Sequence, residues 1–224
     1  GRRVKEIDRR RKLVRAENLR TGRTESFAYD KLVLAMGATS IHLPIPGVDL
    51  TGVHRLVRME DAAAVRKVLD AKRRGAAVVI GAGFIGMEAA EAIAERGWSV
   101  TIVERYGQVF PWALDMEMAA AVQEHLFAQG IEVELETEVE RIEDNGSGGV
   151  GAVVTGRGRH EADLVILATG QRPNVELARR IGLETGETGA LAVNERLQTS
   201  DPDIYAGGDL VENTHLVSGA KCYI

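Results

Sequence analysis

Short apolar runs alternate along the chain with polar stretches punctuated by glycine. Ala76-Ala-Val-Val-Ile80 is apolar and β-branched and predicts a parallel strand buried on both faces. It leads into Gly81-Ala-Gly-Phe-Ile-Gly86. Met87 to Arg96 is rich in helix formers and runs up to Gly97, which predicts a helix with a glycine stop. Trp98 to Val103 predicts the next strand, and Glu104 stands at its end. Together these pieces make a βαβ unit.

Beyond it, Asp115 to Gln129 predicts a helix with Asp115 as N-cap and Gly130 as its stop. Met118, Ala121, Val122 and Leu126 follow helical spacing within it. Ile131 to Leu135 alternates as a strand, and Val139 to Ile142 with Val150 to Val154 predicts an antiparallel meander around Asn145-Gly146. Asp163-Leu-Val-Ile-Leu-Ala-Thr-Gly170 is a further apolar strand that stops at glycine.

Part of this order occurs twice. Val4-Lys-Glu-Ile-Asp8 resembles Val139-Glu-Arg-Ile-Glu143. Asp30-Lys-Leu-Val-Leu-Ala-Met-Gly37 resembles Asp163 to Gly170, at nearly the same offset along the chain. Each pair of landmarks encloses a glycine-containing meander, marked by Thr21-Gly22 in one copy and Gly146 to Gly149 in the other. Two copies of one supersecondary plan account for the pattern. In the second copy Gly81 lies so far ahead of Gly170 that an equivalent turn ahead of Gly37 would fall upstream of residue 1. The expectation is a chain that begins inside a domain whose phosphate-binding head is missing.

Composition narrows the partners. The 224 residues include 28 Lys or Arg and 33 Asp or Glu, a formal net charge of −5 that favours neither nucleic acid nor an anionic membrane. The longest apolar runs, such as Ala76 to Ala82, are too short to span a bilayer. No cationic head followed by an apolar core opens the chain, so a cytoplasmic location is expected. A single cysteine, Cys222, rules out an internal disulfide framework. His42, His54, His125, His160 and His215 lack ligand spacing, and no metal is expected. The basic run Arg9-Arg-Arg-Lys12 has no aromatic platform and reads as the solvated face of a meander. Ser218 has no G-x-S-x-G context, so a hydrolase reading fails.

Gly81, Gly83 and Gly86 fit G-x-G-x-x-G between a strand and a helix. The first glycine permits the tight turn, the second lets backbone approach a pyrophosphate, and the third lets helix pack closely on strand. Phe84 and Ile85 lie inside the turn and are grouped with the glycines as cofactor-binding residues. The helix N-terminus offers unpaired N–H groups to the phosphates. Glu104, at the end of the strand that follows the helix, suits the two hydroxyls of an adenosine ribose and repels a 2′-phosphate. That favours NAD(H). Arg105 pulls towards NADP(H), which stays as the second option. In Thr199 to Asp209, Ile204-Tyr-Ala predicts a strand, Gly207-Gly208 allows close approach of a ligand, and Asp209 is an acceptor at the strand end. From the residues alone this loop either holds a polyol or ribose or caps a helix.

Four motifs in order resemble the FAD-dependent pyridine nucleotide–disulfide oxidoreductases. They are Tyr29 to Gly37, the glycine motif with Glu88, Ala168-Thr-Gly-Gln-Arg-Pro-Asn174, and the Tyr205 to Asp209 loop. The chain is most similar to the branch with coenzyme A disulfide reductases and NADH oxidases or peroxidases. The resemblance implies an α/β fold of the three-layer (ββα) Rossmann-like type, with an incomplete FAD-domain portion. Residues 1–68 would be a partial FAD-binding domain, 69–172 the NAD(P)-binding domain, and 173–224 the return segment of the FAD-binding domain. It also implies that Asp209, beside Gly208, binds the ribityl chain of FAD, and that Ala35 and Gly37 lie near the FAD adenosine. Glu88 would sit near nicotinamide and flavin as the candidate catalytic residue, and Gly170 would border the nicotinamide pocket. Met36 stands where the family usually has threonine, and where the second copy has Thr169. The family's redox-active cysteine would lie upstream of residue 1 and its dimerisation domain downstream of the chain. Cys222 matches neither.

The expected function is that of a fragment of a flavoprotein passing hydride from NAD(P)H to FAD, then on to a disulfide, peroxide or oxygen acceptor. The fragment alone is expected to be inactive, and the full-length protein to be a homodimer. Two alternatives stand beside it. One is a flavoprotein serving ferredoxin, rubredoxin or a nitrite reductase, and the other is an NAD-binding sensor without catalysis.

Overall fold

The computed structural model describes residues 1–223. In chain order come β1 (Arg2–Asp8), β2 (Leu13–Asn18), β3 (Thr24–Ala28), β4 (Leu32–Leu34) and β5 (Ala38–Ser40). Next are β6 (Val53–Arg55), α1 (Met59–Ala71), β7 (Ala76–Ile80), α2 (Phe84–Ala94), β8 (Ser99–Val103), α3 (Met116–Ala128) and β9 (Ile131–Glu134). They lead to β10 (Val139–Asp144), β11 (Val150–Thr155), β12 (Gly158–Glu161), β13 (Leu164–Leu167) and β14 (Gln171–Pro173). Last are α4 (Glu176–Arg180), β15 (Ile204–Ala206), β16 (Asn213–Thr214) and β17 (Lys221–Cys222). Two compact units result: Ser40–Gly170, and Gly1–Thr39 with the chain from Gln171 onward.

In the Ser40–Gly170 unit an all-parallel sheet runs in the order β6-β13-β7-β8-β9. Its central strands are apolar at nearly every position, and the period of two sends successive side chains to opposite faces. Ala77, Val79, Val100, Ile102, Leu164 and Ile166 pack with Ile93 of α2, Leu126 of α3 and Val65 of α1. Val78, Ile80, Val103, Val165 and Leu167 pack instead with Ile142, Val150 and Val153 of the β10-β11-β12 meander. Helices, sheet and meander are therefore three layers, the ββα arrangement expected. Burying each of these Val, Leu and Ile side chains stabilises the fold by roughly 1.5–3 kcal/mol. Polar residues find little room there.

The other unit repeats the plan in part. β1-β2-β3 is an antiparallel meander, and β4 pairs in parallel with β15. The correspondence extends to irregularities. The β1–β2 register slips between Val4 and Glu6, and the β10–β11 register slips between Val139 and Arg141, the matching positions of the second copy. Ile7 and its counterpart Ile142 are both buried. A shared bulge is a feature of the supersecondary plan rather than of one local sequence.

Several expectations change in detail. The helix after the glycine turn starts at Phe84, inside the motif, because Gly83 is its N-cap and Met87 N–H already donates to Gly83 O at 2.9 Å. On α3 the core-facing positions are Ala119, Val122 and Leu126, while Met118 and Ala121 face solvent. Asp115 caps that helix as expected, accepting from Met118 N at 3.0 Å. The third meander strands, β3 and β12, and helix α1 are additions to the elements predicted from the sequence.

The compaction boundaries also differ from the reading that starts a second domain at residue 69 and ends it at 172. Residues 40–68 belong to the parallel-sheet unit, because β6 adds to the free edge of β13 and α1 buries Val65 on the same core. The run Arg9 to Lys12 is not simply a solvated face. Arg9 pairs with Asp201 at 2.7 Å and donates to the carbonyls of Ile181 and Gly182, while Lys12 pairs with Asp203 at 2.6 Å. Half of the run ties the meander to its own unit. No described helix is long and apolar enough to cross a membrane.

Candidate functional site

The carboxyl ends of parallel strands leave a crevice where the chain order reverses, and ligands of open α/β sheets bind there. β7 continues through α2 to β8 on one side and has β13 on the other, so its carboxyl end is that reversal point. A cavity of ≈ 460 Å³ opens there, walled by the ends of β7, β8 and β13 and by the loops that follow.

The glycine turn forms its floor. Gly81 has φ +106°, a conformation that only glycine adopts without strain, and a Cβ there would collide with Ala168 O. A Cβ on Gly86 would collide with Gly81 O, so helix and strand close together only because this position is bare. Gly83 differs. A Cβ there would meet nothing within 4 Å. The space beside Gly83 is open at the N-terminus of α2, where backbone N–H groups lack helical partners. Such a place suits a phosphate oxygen.

Glu104 fixes the turn from below. The residue is only 6% exposed. One carboxylate oxygen accepts from Ala82 N at 2.7 Å and the other from Tyr106 N at 3.0 Å. Each oxygen has a second lone pair beyond that bond, and Glu104 is part of the cavity wall. Ala82 is held at its other end too, its carbonyl accepting from Phe110 N at 2.8 Å. Phe110 has φ +47°, which costs a residue with a Cβ about 1–2 kcal/mol. Its ring packs on Phe84 at 4.9 Å and its carbonyl accepts from Ala113 and Leu114, contacts that offset the strain. Loop 105–114 is thus built onto the glycine turn.

Of the residues singled out from the sequence, Gly81, Gly83, Glu104, Arg105 and Gly170 line this one cavity. Gly170, at φ +96°, accepts from Ile41 N at 3.0 Å. Phe84, Ile85 and Glu88 do not line it. All three are exposed on the first turns of α2, and Gly86 serves packing. Ala35, Gly37, Gly208 and Asp209 belong to the other compact unit. There Leu34 and Ala206 are register partners at the ends of β4 and β15, and Gly207 N donates to Leu34 O at 3.2 Å. Ala35, Gly208 and Asp209 therefore leave adjacent strand ends and are exposed. Gly37 O accepts from Asn174 N at 3.0 Å, and Met36 O from Asn174 Nδ2 at 2.8 Å. No helix follows Asp209 among the described residues, so it is not an N-cap. Burial, and after it the charge of Asp209, pushes the Tyr223 phenol up.

Several cavity residues carry no motif of their own in the sequence. Tyr106 and Trp112 pack edge to face, centroids 5.2 Å apart, and both stand in the wall with Pro111 and Thr137. Thr169, also in the wall, has a buried hydroxyl with no hydrogen-bond partner among the described residues. The available signal was position. Residues 105–114 form the βα loop at the carboxyl edge of the sheet, where such folds bind.

Comparisons with known proteins identify the family and the fold. Residues 1–221 match the family model described as pyridine nucleotide-disulphide oxidoreductase. The chain is 40% identical over 200 residues to an NAD(P)H sulfur oxidoreductase (CoA-dependent) of Pyrococcus abyssi, covering 89% of this chain and 44% of that protein. It is 37% identical over 222 residues to an NADH oxidase of Enterococcus faecalis, covering 99% of this chain and 49% of the relative. The solved NAD-dependent persulfide reductase of A. fulgidus superposes with a TM-score of 0.94 at 42% identity, over 100% of this chain and 40% of that one. The chain thus spans less than half the length of these relatives. It belongs to the pyridine nucleotide-disulphide oxidoreductase family.

Proposed function

We propose that this chain carries the nicotinamide-dinucleotide site, and part of the FAD-binding portion, of a flavoprotein oxidoreductase. When both cofactors are bound, NAD(P)H supplies a hydride and FAD accepts it, and electrons pass on to a disulfide, peroxide or oxygen acceptor. One observation carries this reading. The open face of Gly83 at the α2 N-terminus lies in the same cavity wall as the buried, doubly anchored Glu104.

Each residue has a part in binding. Backbone N–H groups at the start of α2 hold the pyrophosphate, and Glu104 accepts from the adenosine ribose hydroxyls, which favours NADH. Gly170 borders the nicotinamide, and Glu88, the candidate catalytic residue by family resemblance, stands exposed on the first turns of α2 outside that cavity wall. In the other unit Gly208 and Asp209 hold the ribityl chain of FAD, with Ala35 and Gly37 beside its adenosine. The domain assignment follows from these roles, with the NAD(P) domain enclosed between FAD-domain pieces. The full-length protein is a cytoplasmic homodimer acting on a small-molecule or thiol/disulfide acceptor.

A second reading, electron delivery to a small redox protein, is supported by the 34% identical nitric oxide reductase FlRd-NAD(+) reductase of Klebsiella pneumoniae. Anaerobic titration of the full-length protein with NADH tests the proposal. Bleaching of a flavin absorption band is expected, and a purified full-length protein that takes up no flavin would overturn it.

A further inference from the structure

Glu104 and Arg105 make opposite demands on a dinucleotide. A carboxylate suits two free ribose hydroxyls, and a guanidinium suits a 2′-phosphate. They are sequence neighbours on the rim of one cavity, yet they are held differently. Glu104 is buried and locked by two backbone N–H groups. Arg105 is exposed, and its guanidinium carbon lies 4.7 Å from the centre of the Tyr106 ring. Its Nη2 donates to Tyr106 Oη at 2.7 Å rather than to a carboxylate.

Tyr106 is itself well fixed. Its N–H donates to Glu104, its carbonyl accepts from Glu136 N at 3.0 Å, and its ring packs edge to face on Trp112. The hydrogen bond engages one N–H of the guanidinium edge, the part that would meet a phosphate, and the contact with the ring face holds the side chain in that place. A flexible side chain held this way is withdrawn from competition with its neighbour.

We propose that Tyr106 is a positioning residue for nucleotide choice. It holds the Arg105 guanidinium on its own ring, so that Glu104 alone answers the adenosine ribose and NADH is preferred. Releasing Arg105 moves the preference towards NADPH. This rests on the dinucleotide reading given above.

The test is calorimetric titration of the whole 224-residue chain with NADH and with NADPH, folding being checked by circular dichroism. Tyr106→Leu is expected to raise the NADPH-to-NADH affinity ratio by about tenfold, the value of one phosphate–guanidinium contact. Tyr106→Phe keeps the ring and loses the phenol, and a smaller rise is expected. In an Arg105→Ala background Tyr106→Leu should leave the ratio unmoved, which a merely structural role for Tyr106 does not require. Should Tyr106→Leu fail to fold, Arg105→Lys on the exposed rim replaces it. A lysine cannot reproduce the guanidinium's combined ring contact and hydrogen bond to Tyr106, and the ratio should again rise. If both nucleotides bind and the ratio stays at the wild-type value in Tyr106→Leu or Arg105→Lys, this proposal is overturned alone. If folded wild-type chain binds neither nucleotide, the dinucleotide reading falls and takes the proposal with it.

Discussion

The carboxylate of Glu104 receives the backbone N–H of Ala82 from the far side of the βαβ unit, at 2.7 Å and out of solvent. One side chain therefore shapes the glycine turn and, in the proposed function, also receives the adenosine ribose. Glu104→Gln tests the first role. Its amide can present only one oxygen, so either Ala82 N or Tyr106 N faces an NH₂ group. A loss of about 1–3 kcal/mol in urea-denaturation stability is expected, together with weaker NADH binding. A variant as stable as wild type would show that the anchor contributes nothing.

The two bare positions of the glycine motif should separate fold from binding. Gly83→Ala adds a methyl group where nothing lies within 4 Å, at an ordinary φ of −86°. Its stability should stay within about 1 kcal/mol of wild type, while NADH affinity falls about tenfold or more because the methyl occupies the phosphate's place. Gly86→Ala drives a methyl group into Gly81 O, and should cost about 1–3 kcal/mol of stability before any ligand is added. Equal effects of the two substitutions on stability would contradict this division.

Acid should weaken the other unit through Asp203. Hydrogen bonds from Lys12 and then Lys31 hold its carboxyl down to about 2. A carboxyl lowered in the folded state adds stability above its unfolded value, about 4. That contribution drains away as pH falls through 4 towards 2. Asp203→Asn should give a flatter stability profile across that window. Parallel profiles for the two proteins would remove Asp203 from the explanation.

Trp112 offers an optical reporter. It is 83% exposed in the cavity wall, whereas Trp98 is buried in the core. Adding NAD⁺, which does not absorb indole emission, should change fluorescence in the wild type and not in Trp112→Phe. An unchanged response in that variant would place the bound nucleotide elsewhere.

What the sequence makes legible is local. Ala76 to Glu104 carries its strand, turn and next strand in the order of its residues, since a glycine turn and an apolar β-branched run act over a few positions. The repeat is readable for the same reason, and the shared bulge at Val4–Glu6 and Val139–Arg141 shows that it reaches backbone detail. Helix α1 is harder to see because it buries Val65 and little else. The roles of Arg9 and Lys12 depend on Asp201 and Asp203, near the opposite end of the chain. Tyr106, Trp112 and Thr169 acquire meaning only when loops following three separate strands meet in one wall.

Backbone amide chemical-shift mapping of the ¹⁵N-labelled chain with NADH tests the central claim most directly. The expected result is that amides of Gly81 to Gly86 and of Glu104 to Tyr106 move together and saturate on one isotherm. Amides that stay still at saturating NADH, or that move only in residues 1–39, would contradict the account.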